Sequence, residues 1–326
     1  MGMRVSINGK TVMVTGGAGF IGSHLVDSLL RDGAAKVIVI DNLFTGDEKN
    51  LSGAFETGRL QFYRDDAELF TSLSYIFENH TIDIVFNCAT KALNYSFLNP
   101  SNAFSTNTSI TLNLLEHLRL GQFKTLAHFS TSEVYGTAMY EPMDEIHPKN
   151  PTTTYAAGKA AADMAVESYV KMFGVDAFII RPFNNYGPRQ NYKGILAGVI
   201  PITALKILQG IPPEIHGNGL QSRDFVFVND TVEAVLQLYR ILPAGETVNI
   251  ATDNQVSIAD LIEKISSILD YSGDVVYKAP RNADVLCHNA DTVKLHSLID
   301  FSVTPFDVGL KATMEFYQKA ALEVQK

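Results

Sequence analysis

Residues 10–22 read Lys-Thr-Val-Met-Val-Thr-Gly-Gly-Ala-Gly-Phe-Ile-Gly. A short apolar run here ends in three glycines spaced three residues apart, Gly16, Gly19 and Gly22, and the amphipathic segment 23–30 follows directly. This order predicts a buried strand, a tight turn and a helix whose N-terminus faces the turn. Glycine lets the backbone approach a pyrophosphate closely, and the amides and dipole of the helix favour its negative charge. The stretch therefore predicts a dinucleotide-binding site.

A second apolar run, residues 36–40, ends in Asp41 about twenty residues after the glycine turn. A carboxylate at this point accepts hydrogen bonds from the hydroxyls of an adenosine ribose. It also repels a phosphate on that ribose, and residues 42–46 include no arginine or lysine that would neutralise one. These residues predict NAD rather than NADP as the cofactor.

The composition is that of a folded, acidic protein. The chain has 326 residues, 46% of them hydrophobic, and a formal net charge of −9 without basic stretches, which argues against nucleic acid and anionic membranes as partners. The first residues lack the apolar core of a signal peptide, and no apolar run is long enough to span a membrane. Cys88 and Cys287 have no spacing suited to zinc or to a redox pair. We therefore expect a soluble, cytoplasmic protein with free thiols and no bound metal.

Strand-like apolar runs alternate with helical periodicity over the first 180 residues, a pattern typical of a parallel sheet with crossover helices. The predicted strands are 11–15, 36–40, 60–63, 82–88, 126–130 and 177–180, and the predicted helices are 66–79, 100–120 and 153–173. After residue 182 loops with Gly and Pro become frequent, while the segment 225–252, which begins with the apolar run 225–228, is expected to return to the first sheet. The pattern predicts an α/β fold with a doubly wound parallel sheet of the Rossmann type, formed by 1–182 and 225–254. A smaller α/β lobe would comprise 183–224 and 255–326.

Tyr155 and Lys159 lie four residues apart on a predicted helix, so both side chains project from one face. An ammonium beside a phenol stabilises the phenolate and lowers the pKa of the phenol toward neutrality. We therefore expect Tyr155 to act as a general base toward a substrate hydroxyl. Thr131 and Glu133 follow a predicted strand at its carboxyl end, where such folds bind ligands. Thr131 would donate or relay a proton beside Tyr155, and Glu133 would place a carboxylate in the same crevice.

Together these features resemble the extended short-chain dehydrogenase/reductases. The resemblance covers nearly the full length and rests on the glycine turn, Thr131 with Tyr-x-x-x-Lys, Arg-Pro-Phe-Asn-Asn-Tyr-Gly-Pro at 181–188 and Ser-Arg-Asp-Phe at 222–225. Within that superfamily the chain is similar to nucleotide-sugar epimerases, 4,6-dehydratases and decarboxylases. The resemblance implies a tightly held NAD that oxidises carbon 4 of the sugar, with the tyrosine as base. A second step then takes place on the 4-ketone, and the hydride is finally returned.

The resemblance also assigns binding residues, position by position. For the cofactor it implies Gly16, Gly19, Phe20, Ile21, Gly22, Asp41, Asn42, Thr45, Gly46, Asp66, Ala67, Ala89, Thr90, Lys91, Asn107, Tyr155, Lys159 and Phe183. For the nucleotide sugar it implies Asn184, Arg189, Val199, His216, Arg223, Arg281 and Asp284. Two arginines that converge on one diphosphate suit bidentate binding to phosphate oxygens. For Arg189 two possibilities stay open, a contact with the sugar and an ion pair with a neighbouring acid.

The second chemical step separates three reactions. A 4-epimerase needs only the threonine, tyrosine and lysine, whereas a 4,6-dehydratase also needs a base for the proton on carbon 5, and Glu133 after Ser132 supplies one. The uronate decarboxylases share Thr-Ser-Glu, but residues 286–291 lack the arginine that those enzymes carry there. The residues favour an NAD-dependent nucleotide-sugar 4,6-dehydratase, with a nucleotide-uronic-acid decarboxylase and a 4-epimerase as alternatives. An inactive dinucleotide-binding scaffold is the alternative of another class.

The two long predicted helices resemble the pair that forms a four-helix subunit interface in this family. Both carry apolar residues beyond the needs of one face, namely Leu112, Leu115, Leu118, Met164, Val166 and Val170. We therefore expect a homodimer.

Overall fold

A seven-stranded parallel sheet forms the centre of the molecule. The computed structural model describes residues 4–280 and 289–324, so Arg281, Asp284 and Cys287 lie outside the described residues. The strands are β1 Thr11–Thr15, β2 Lys36–Ile40, β3 Leu60–Tyr63, β4 Ile84–Asn87, β5 Thr125–Phe129, β6 Ala177–Pro182, β7 Asn184–Tyr186, β8 Glu214–His216, β9 Ser222–Phe227, β10 Thr247–Ile250, β11 Gln255–Ser257 and β12 Val276–Lys278. The helices are α1 Phe20–Arg31, α2 Ser52–Glu56, α3 Phe70–Asn79, α4 Pro100–Arg119, α5 Thr154–Phe173, α6 Val199–Leu208, α7 Val228–Ile241, α8 Ile258–Ile268, α9 Val293–Leu298 and α10 Phe306–Val324. None of these described helices combines the length and the apolarity needed to cross a membrane.

The strand order of the main sheet is β3-β2-β1-β4-β5-β6-β10, and each neighbouring pair is parallel. The chain therefore winds outward from β1 in one direction and from β4 in the other. In such sheets the connections diverge at this point, and ligands bind there, at the carboxyl ends of the strands. The predicted doubly wound parallel sheet is confirmed.

Alternate residues of the central strands enter two separate cores. Val12 and Val14 of β1 pack in one core with residues of α1 and α7, while Met13 packs in the other with residues of α3 and α4. Successive side chains of a strand point to opposite faces, which is why a strand covered on both sides reads as one apolar run. Full burial of such a side chain contributes roughly 1.5–3 kcal/mol. The sheet is thus a rigid support for the loops at its carboxyl edge.

A third core lies among the smaller sheets. It joins Tyr186, Phe225 and Phe227 to apolar residues of α6, α8 and α10. β9 pairs with β7 and β11, while β8 pairs with β12. The expectation that 225–252 returns to the main sheet is confirmed for 247–250, which form β10 beside β6, and is wrong for the run 225–228, because β9 bonds to β7 instead. We retain the division into 1–182 plus 225–254 and 183–224 plus 255–326 as a proposal, since the third core draws mainly on the second set.

Helix α3 begins at Phe70, four residues later than predicted. Asp66 Oδ1 accepts the backbone N–H of Glu68 at 2.9 Å, and the Asp66 carbonyl accepts that of Leu69 at 3.1 Å. A local turn of this kind competes with helix formation, and it leaves Asp66 at the edge of the sheet. The other predicted strands and helices of the main sheet differ from the observed ones by at most two residues at either end.

The long helices α4 and α5 pack against each other on one face of the main sheet. Three of the apolar residues expected at a subunit interface, Leu115, Leu118 and Val166, are instead buried in the core below. The helical period turns them toward the sheet. Leu112 is 37% exposed and Met164 is 59% exposed. The homodimer remains a proposal, and this exposed apolar surface supports it.

Candidate active site

The glycine turn leads from β1 into α1 at the carboxyl edge of the sheet. Gly16 has a φ of +68°, and a Cβ there would lie 2.8 Å from the backbone of Ala89, just after β4. A Cβ on Gly22 would lie 2.2 Å from the carbonyl oxygen of Gly16. Only glycine fits at these two positions, because the backbone segments approach each other so closely. No side chain caps α1 at Gly19, so the first amides of the helix remain available to a ligand.

A pocket follows this edge of the sheet, and we call it the cofactor-side pocket. Every predicted cofactor residue lines it except Asn107. Asn107 instead holds two residues of the pocket wall, since its Oδ1 accepts hydrogen bonds from the Thr90 hydroxyl at 2.9 Å and from the Lys91 N–H at 2.8 Å. Further lining residues that the sequence analysis did not assign to the cofactor include Cys88 and Ser130. Both directly follow the observed strands β4 and β5, but the predicted strands 82–88 and 126–130 included them as their last residues.

Asp41 is 8% exposed at the end of β2. Its carboxylate accepts the backbone N–H of Ala18 at 3.0 Å and that of Leu43 at 2.8 Å. Burial raises the pKa of Asp41, and these hydrogen bonds oppose the rise. Besides its predicted contact with a ribose, Asp41 therefore fixes the glycine turn. Asn42 Nδ2 donates to Asp66 Oδ2 at 2.7 Å and so joins the loops after β2 and β3.

Lys91 is buried at the wall of this pocket. Its Nζ lies 4.0 Å from the ring centroid of Phe44 and 5.8 Å from that of Tyr95, and these two rings meet edge to face. Cation–π contacts of desolvated ammonium groups contribute about 2 kcal/mol. The two rings thus hold a positive charge where it attracts an anionic ligand.

A second pocket, which we call the substrate-side pocket, adjoins the first. Residues that line both are Thr131, Tyr155, Phe183, Asn185 and Gln190, so the two spaces are continuous. The Thr131 and Thr90 side chains lie near the Tyr155 hydroxyl and act to lower its pKa. Thr131 Oγ1 also accepts the Glu133 N–H at 3.3 Å, where β5 passes into the 3-10 helix Ser132–Tyr135. This cap brings Thr131 beside Tyr155 at the junction of the pockets.

In this arrangement Lys159 does not lower the pKa of the Tyr155 phenol toward neutral pH. Lys159 Nζ donates to the carbonyl of Phe129 at 2.8 Å, and burial lowers the pKa of Lys159 to about 8. Burial raises the pKa of Tyr155 to about 12, although the Thr131 and Thr90 hydroxyls oppose the rise. The expected lowering is therefore wrong for the chain alone, because desolvation outweighs the hydrogen bonds. A further positive charge in the pocket is needed to favour the phenolate.

Four predicted site residues also line the substrate-side pocket, namely Ser132, Glu133, Asn184 and Val199. The Glu133 carboxylate is close enough to raise the pKa of Tyr155. Asn184 Nδ2 and Gln190 Oε1 are buried and make no hydrogen bond to the described part of the chain. Buried polar atoms are normally paired, so these two atoms suit hydroxyl or phosphate groups of a ligand.

Three other predicted substrate residues lie outside both pockets. Arg189 donates to Asp27 Oδ2 on α1 at 2.7 Å, so of its two open possibilities the structure shows the ion pair. His216 Nδ1 lies 3.3 Å from the carbonyl oxygen of Ala279, and Arg223 Nη1 donates to the carbonyl of Ser222 at 2.8 Å. Arg281 and Asp284, the remaining members of the set, are outside the described residues.

Known proteins resemble this chain over almost its whole length. It is 34% identical over 289 residues to a putative UDP-glucose 4-epimerase of Methanocaldococcus jannaschii, covering 88% of this chain and 92% of that protein. It is 30% identical over 320 residues to the dTDP-D-glucose 4,6-dehydratase of Homo sapiens, covering 95% of this chain and 90% of that protein. The crystal structure of DesIV, a dTDP-glucose 4,6-dehydratase from Streptomyces venezuelae with NAD bound, superposes with a TM-score of 0.89 at 29% identity, covering 95% and 97% of the two chains.

A family model supports the same relationship. The model of the NAD dependent epimerase/dehydratase family matches residues 12–251, which is most of the chain. The resemblance to extended short-chain dehydrogenase/reductases and the predicted NAD cofactor are confirmed. The chain belongs to the NAD-dependent epimerase/dehydratase family of nucleotide-sugar enzymes.

Proposed function

We propose that the protein is an NAD-dependent nucleotide-sugar 4,6-dehydratase. The observation that carries this proposal is the position of Glu133, which lines the substrate-side pocket together with Thr131 and Tyr155. A 4-epimerase needs one base at carbon 4 and room for the ketose to turn. A dehydratase needs a second base that removes the proton from carbon 5. A carboxylate beside the tyrosine and threonine meets that need.

The residues of the cofactor-side pocket fit NAD. Ser130 Oγ is buried in the pocket wall without a hydrogen-bond partner among the described residues, and Lys91 provides a positive charge. Uncapped helix amides, a cation and an unpaired hydroxyl suit a ligand that carries a diphosphate, hydroxyls and an amide. When bound, NAD supplies the acceptor for the hydride of carbon 4 and a positively charged nicotinamide ring. We assign the glycine turn to its diphosphate and Asp41 to its adenosine ribose.

Tyr155 takes the proton of the 4-hydroxyl in the first step. Thr131 lies beside Tyr155 at the junction of the two pockets and is placed to hold the substrate hydroxyl against the Tyr155 oxygen. The pKa of Tyr155 lies at about 12 in the chain alone, so the phenolate forms only when positive charge accumulates nearby. Lys159 and a cationic ligand in the cofactor-side pocket together provide that charge. The base thus becomes effective only in the loaded enzyme.

Glu133 acts as the base and then as the acid in the second step, the elimination of water. The ketone at carbon 4 acidifies the proton on carbon 5, and the Glu133 carboxylate removes it. The protonated Glu133 then passes a proton to the hydroxyl that leaves carbon 6 as water, and a double bond forms between carbons 5 and 6. Return of the hydride to carbon 6 and addition of a solvent proton to carbon 5 would remove this double bond and complete the 4-keto-6-deoxy product. General acid–base catalysis of this kind contributes about 10²–10⁴ in rate.

The substrate is a nucleotide-diphosphate sugar. The relatives named above act on UDP-glucose and dTDP-D-glucose. Asn184 and Gln190 offer one unpaired donor and one unpaired acceptor on the substrate side, and Val199 provides apolar surface. We assign this pocket to the sugar and the adjoining diphosphate.

A nucleotide-sugar 4-epimerase is the second candidate function. The putative epimerase of M. jannaschii is 34% identical to this chain, against 30% for the human dehydratase. For that reaction Thr131, Tyr155 and Lys159 suffice, and Glu133 would form only part of the pocket wall. The two functions therefore differ in what they require of Glu133.

The experiment uses the Glu133→Gln variant in heavy water. Wild-type enzyme is incubated with UDP-, dTDP-, GDP- and CDP-linked sugars, and mass spectrometry follows the products. A dehydratase yields a product that has lost water and carries deuterium at carbon 5. In the variant, oxidation persists while elimination slows by about 10²–10⁴-fold, so the near-ultraviolet absorbance of reduced nicotinamide accumulates.

The matched control is Glu167→Gln, the same change at an acid that pairs with Lys149 at 2.6 Å outside both pockets. It should leave both steps unaltered. A product of unchanged mass, inverted at carbon 4 and free of label, would establish the epimerase and end the dehydratase proposal. Loss of carbon dioxide would identify a decarboxylase.

A further inference from the structure

A charged network lies buried behind the Tyr155–Lys159 pair. Arg181 on β6, Asp163 on α5 and His128 on β5 are each 0% exposed. Arg181 Nε and Nη2 donate to Asp163 Oδ2 at 3.1 and 2.8 Å. Burying an ion pair costs several kcal/mol per ion, and such a pair often gives no net stability over apolar residues. A contribution to stability is therefore a weak explanation for this pair.

The network adjoins the lysine of the active site. Asp163 follows Lys159 by four residues on α5, so both side chains leave the same face of the helix. Lys159 is 2% exposed, and desolvation of its ammonium lowers the pKa to about 8. The Asp163 carboxylate opposes this effect and raises the pKa of Lys159.

The two oxygens of Asp163 have different neighbours. Oδ2 accepts both Arg181 hydrogen bonds, whereas Oδ1 makes no hydrogen bond to any described residue and lies 3.6 Å from His128 Nε2. Asn87 Nδ2 is a hydrogen-bond donor only, and it lies 3.2 Å from His128 Nδ1. His128 Nδ1 therefore accepts this hydrogen bond, and the ring proton is on Nε2. Burial lowers the pKa of His128 well below its usual value, and the charges of Lys159 and Arg181 lower it further. Because His128 is neutral, the negative charge of Asp163 stabilises the positive charges of Arg181 and Lys159.

We propose that Asp163 is a positioning residue whose carboxylate, held by Arg181, keeps Lys159 an ammonium beside Tyr155 at neutral pH. The inference rests on the proposed function, because it assigns Asp163 to the oxidation at carbon 4. Asp163 on α5, Cys88 after β4 and His128 on β5 interact electrostatically with Lys159, Tyr155 lines the same pocket as Lys159, and Arg181 on β6 is bound to Asp163. Of these, Asp163 alone is negatively charged at neutral pH, since burial raises the pKa of both Cys88 and Tyr155.

Removal of this charge leaves two cations buried near each other. Asp163→Asn keeps the size of the side chain and an acceptor for Arg181, but loss of a nearby opposite charge lowers the pKa of Lys159 by about 1–3 units. Because that pKa starts at about 8, Lys159 becomes mainly neutral at neutral pH in the variant. The ammonium is present below its pKa and is lost as pH rises through it. The alkaline limb of kcat/KM therefore moves to lower pH, and acidification restores activity.

The first measurement is the pH profile of kcat/KM for the wild type and for Asp163→Asn. Glu167→Gln is again the matched control, since it is the same kind of change one turn further along α5, at a partly exposed ion pair. Asp163→Asn should move the alkaline limb down by about 1–3 pH units, and Glu167→Gln should leave it in place. A purely structural role would lower activity at every pH without moving the limb.

The second measurement needs no turnover. Protein labelled with ¹³C at the lysine ε carbons is titrated by NMR with NAD bound, and the Lys159 signal is identified by its absence in Lys159→Met. We expect its midpoint to fall by about 1–3 units in Asp163→Asn. Should that variant fail to fold, Asp163→Asn with Arg181→Met removes both buried charges, a replacement that buried pairs often tolerate. Its Lys159 midpoint should also fall.

An unmoved Lys159 midpoint in either folded variant overturns the role of Asp163. Wild-type protein that turns over no nucleotide sugar overturns the proposed function instead, and the NMR titration still decides whether Asp163 holds the charge of Lys159. The two failures are therefore distinguishable.

Discussion

The cofactor-side pocket and the substrate-side pocket share Tyr155 but are built from different kinds of backbone. On the cofactor side, Gly16, Asp41 and Cys88 directly follow parallel strands of one sheet. On the substrate side, the walls come from the 3-10 helix Ser132–Tyr135, the short strand β7 and the start of α6. One sheet edge places the first set, whereas the second set depends on how separate segments pack.

The polar groups of the two pockets differ in the same way. Asp41, Asn42 and Asn107 bond to neighbouring loops and hold the cofactor side in shape before any ligand is bound. On the substrate side, Asn184 Nδ2 and Gln190 Oε1 have no partner among the described residues. The cofactor side is therefore preorganised by hydrogen bonds between its loops, although Ser130 Oγ there has no partner among the described residues, whereas the amide groups of the substrate side complete their hydrogen bonds with the ligand.

The largest expected effect comes from removing the proposed base Tyr155, one of the residues that line both pockets. Tyr155→Phe keeps the ring but removes the base, so we expect kcat to fall by about 10²–10⁴-fold while NAD stays bound. Rate measurements on the active nucleotide sugar, with NAD released by heat and quantified, test both parts. Lys159→Met is the companion variant, and it should lose activity and also retain NAD less well. Turnover at the wild-type rate in Tyr155→Phe would refute the assigned first step.

A smaller effect is expected at the preorganised half alone. Asp41→Asn keeps an acceptor for the N–H of Ala18 or Leu43 but removes the charge that repels a ribose phosphate. Hydrogen bonds to charged groups contribute about 1.5–3 kcal/mol, so NAD should bind roughly ten- to a hundredfold more weakly, and NADP should be disfavoured less. Binding titrations with both dinucleotides measure the ratio. Asp47→Asn, an acid in the same loop that pairs with Lys193 outside the pocket, should leave it unchanged.

An unchanged preference for NAD in Asp41→Asn would have a definite meaning. Asp41 would then serve the glycine turn alone, through its bonds to Ala18 and Leu43. In that case the ribose would be held by another group of the cofactor-side pocket.

The preorganised half was predictable because position along the chain determines position in space there. An apolar run ends, and the next residues stand at the carboxyl edge of the sheet, which places Asp41 and Thr90 without further information. Asn107 was assigned to the cofactor as well, yet it acts one layer behind the pocket wall. The motif identifies Asn107 as a residue of the cofactor site, but it does not show whether Asn107 contacts the cofactor or supports the residues that do.

The other half was less predictable for physical reasons. The apolar run that forms β9 has the same pattern whether it pairs with the main sheet or with β7, because hydrophobicity does not encode the bonding partner. Lys159 reaches the carbonyl of Phe129, and this contact depends on how α5 packs on β5. Arg189 adopts a φ of +66°, which no local pattern indicates, and its side chain pairs with Asp27. Each outcome was set by tertiary packing.

The smallest expected effect concerns the joint between the two halves. Arg189 and Asp27 connect the loop before Gln190 to α1, and Gln190 lines both pockets. The two side chains are 26% and 35% exposed, and partly exposed pairs of this kind contribute only about 0.2–1 kcal/mol. We expect Arg189→Ala to raise KM by about two- to fivefold with kcat nearly unchanged.

Asp27→Ala decides which of the two possibilities for Arg189 applies. If Arg189 acts through the ion pair, Asp27→Ala raises KM by the same factor, and the exchanged pair Asp27→Arg with Arg189→Asp recovers part of the loss. If Arg189 binds the sugar directly, Asp27→Ala leaves KM near the wild-type value, Arg189→Ala raises it far more, and the exchange recovers nothing. Steady-state kinetics of the four proteins distinguish these patterns, because only the ion pair makes the two single changes equivalent.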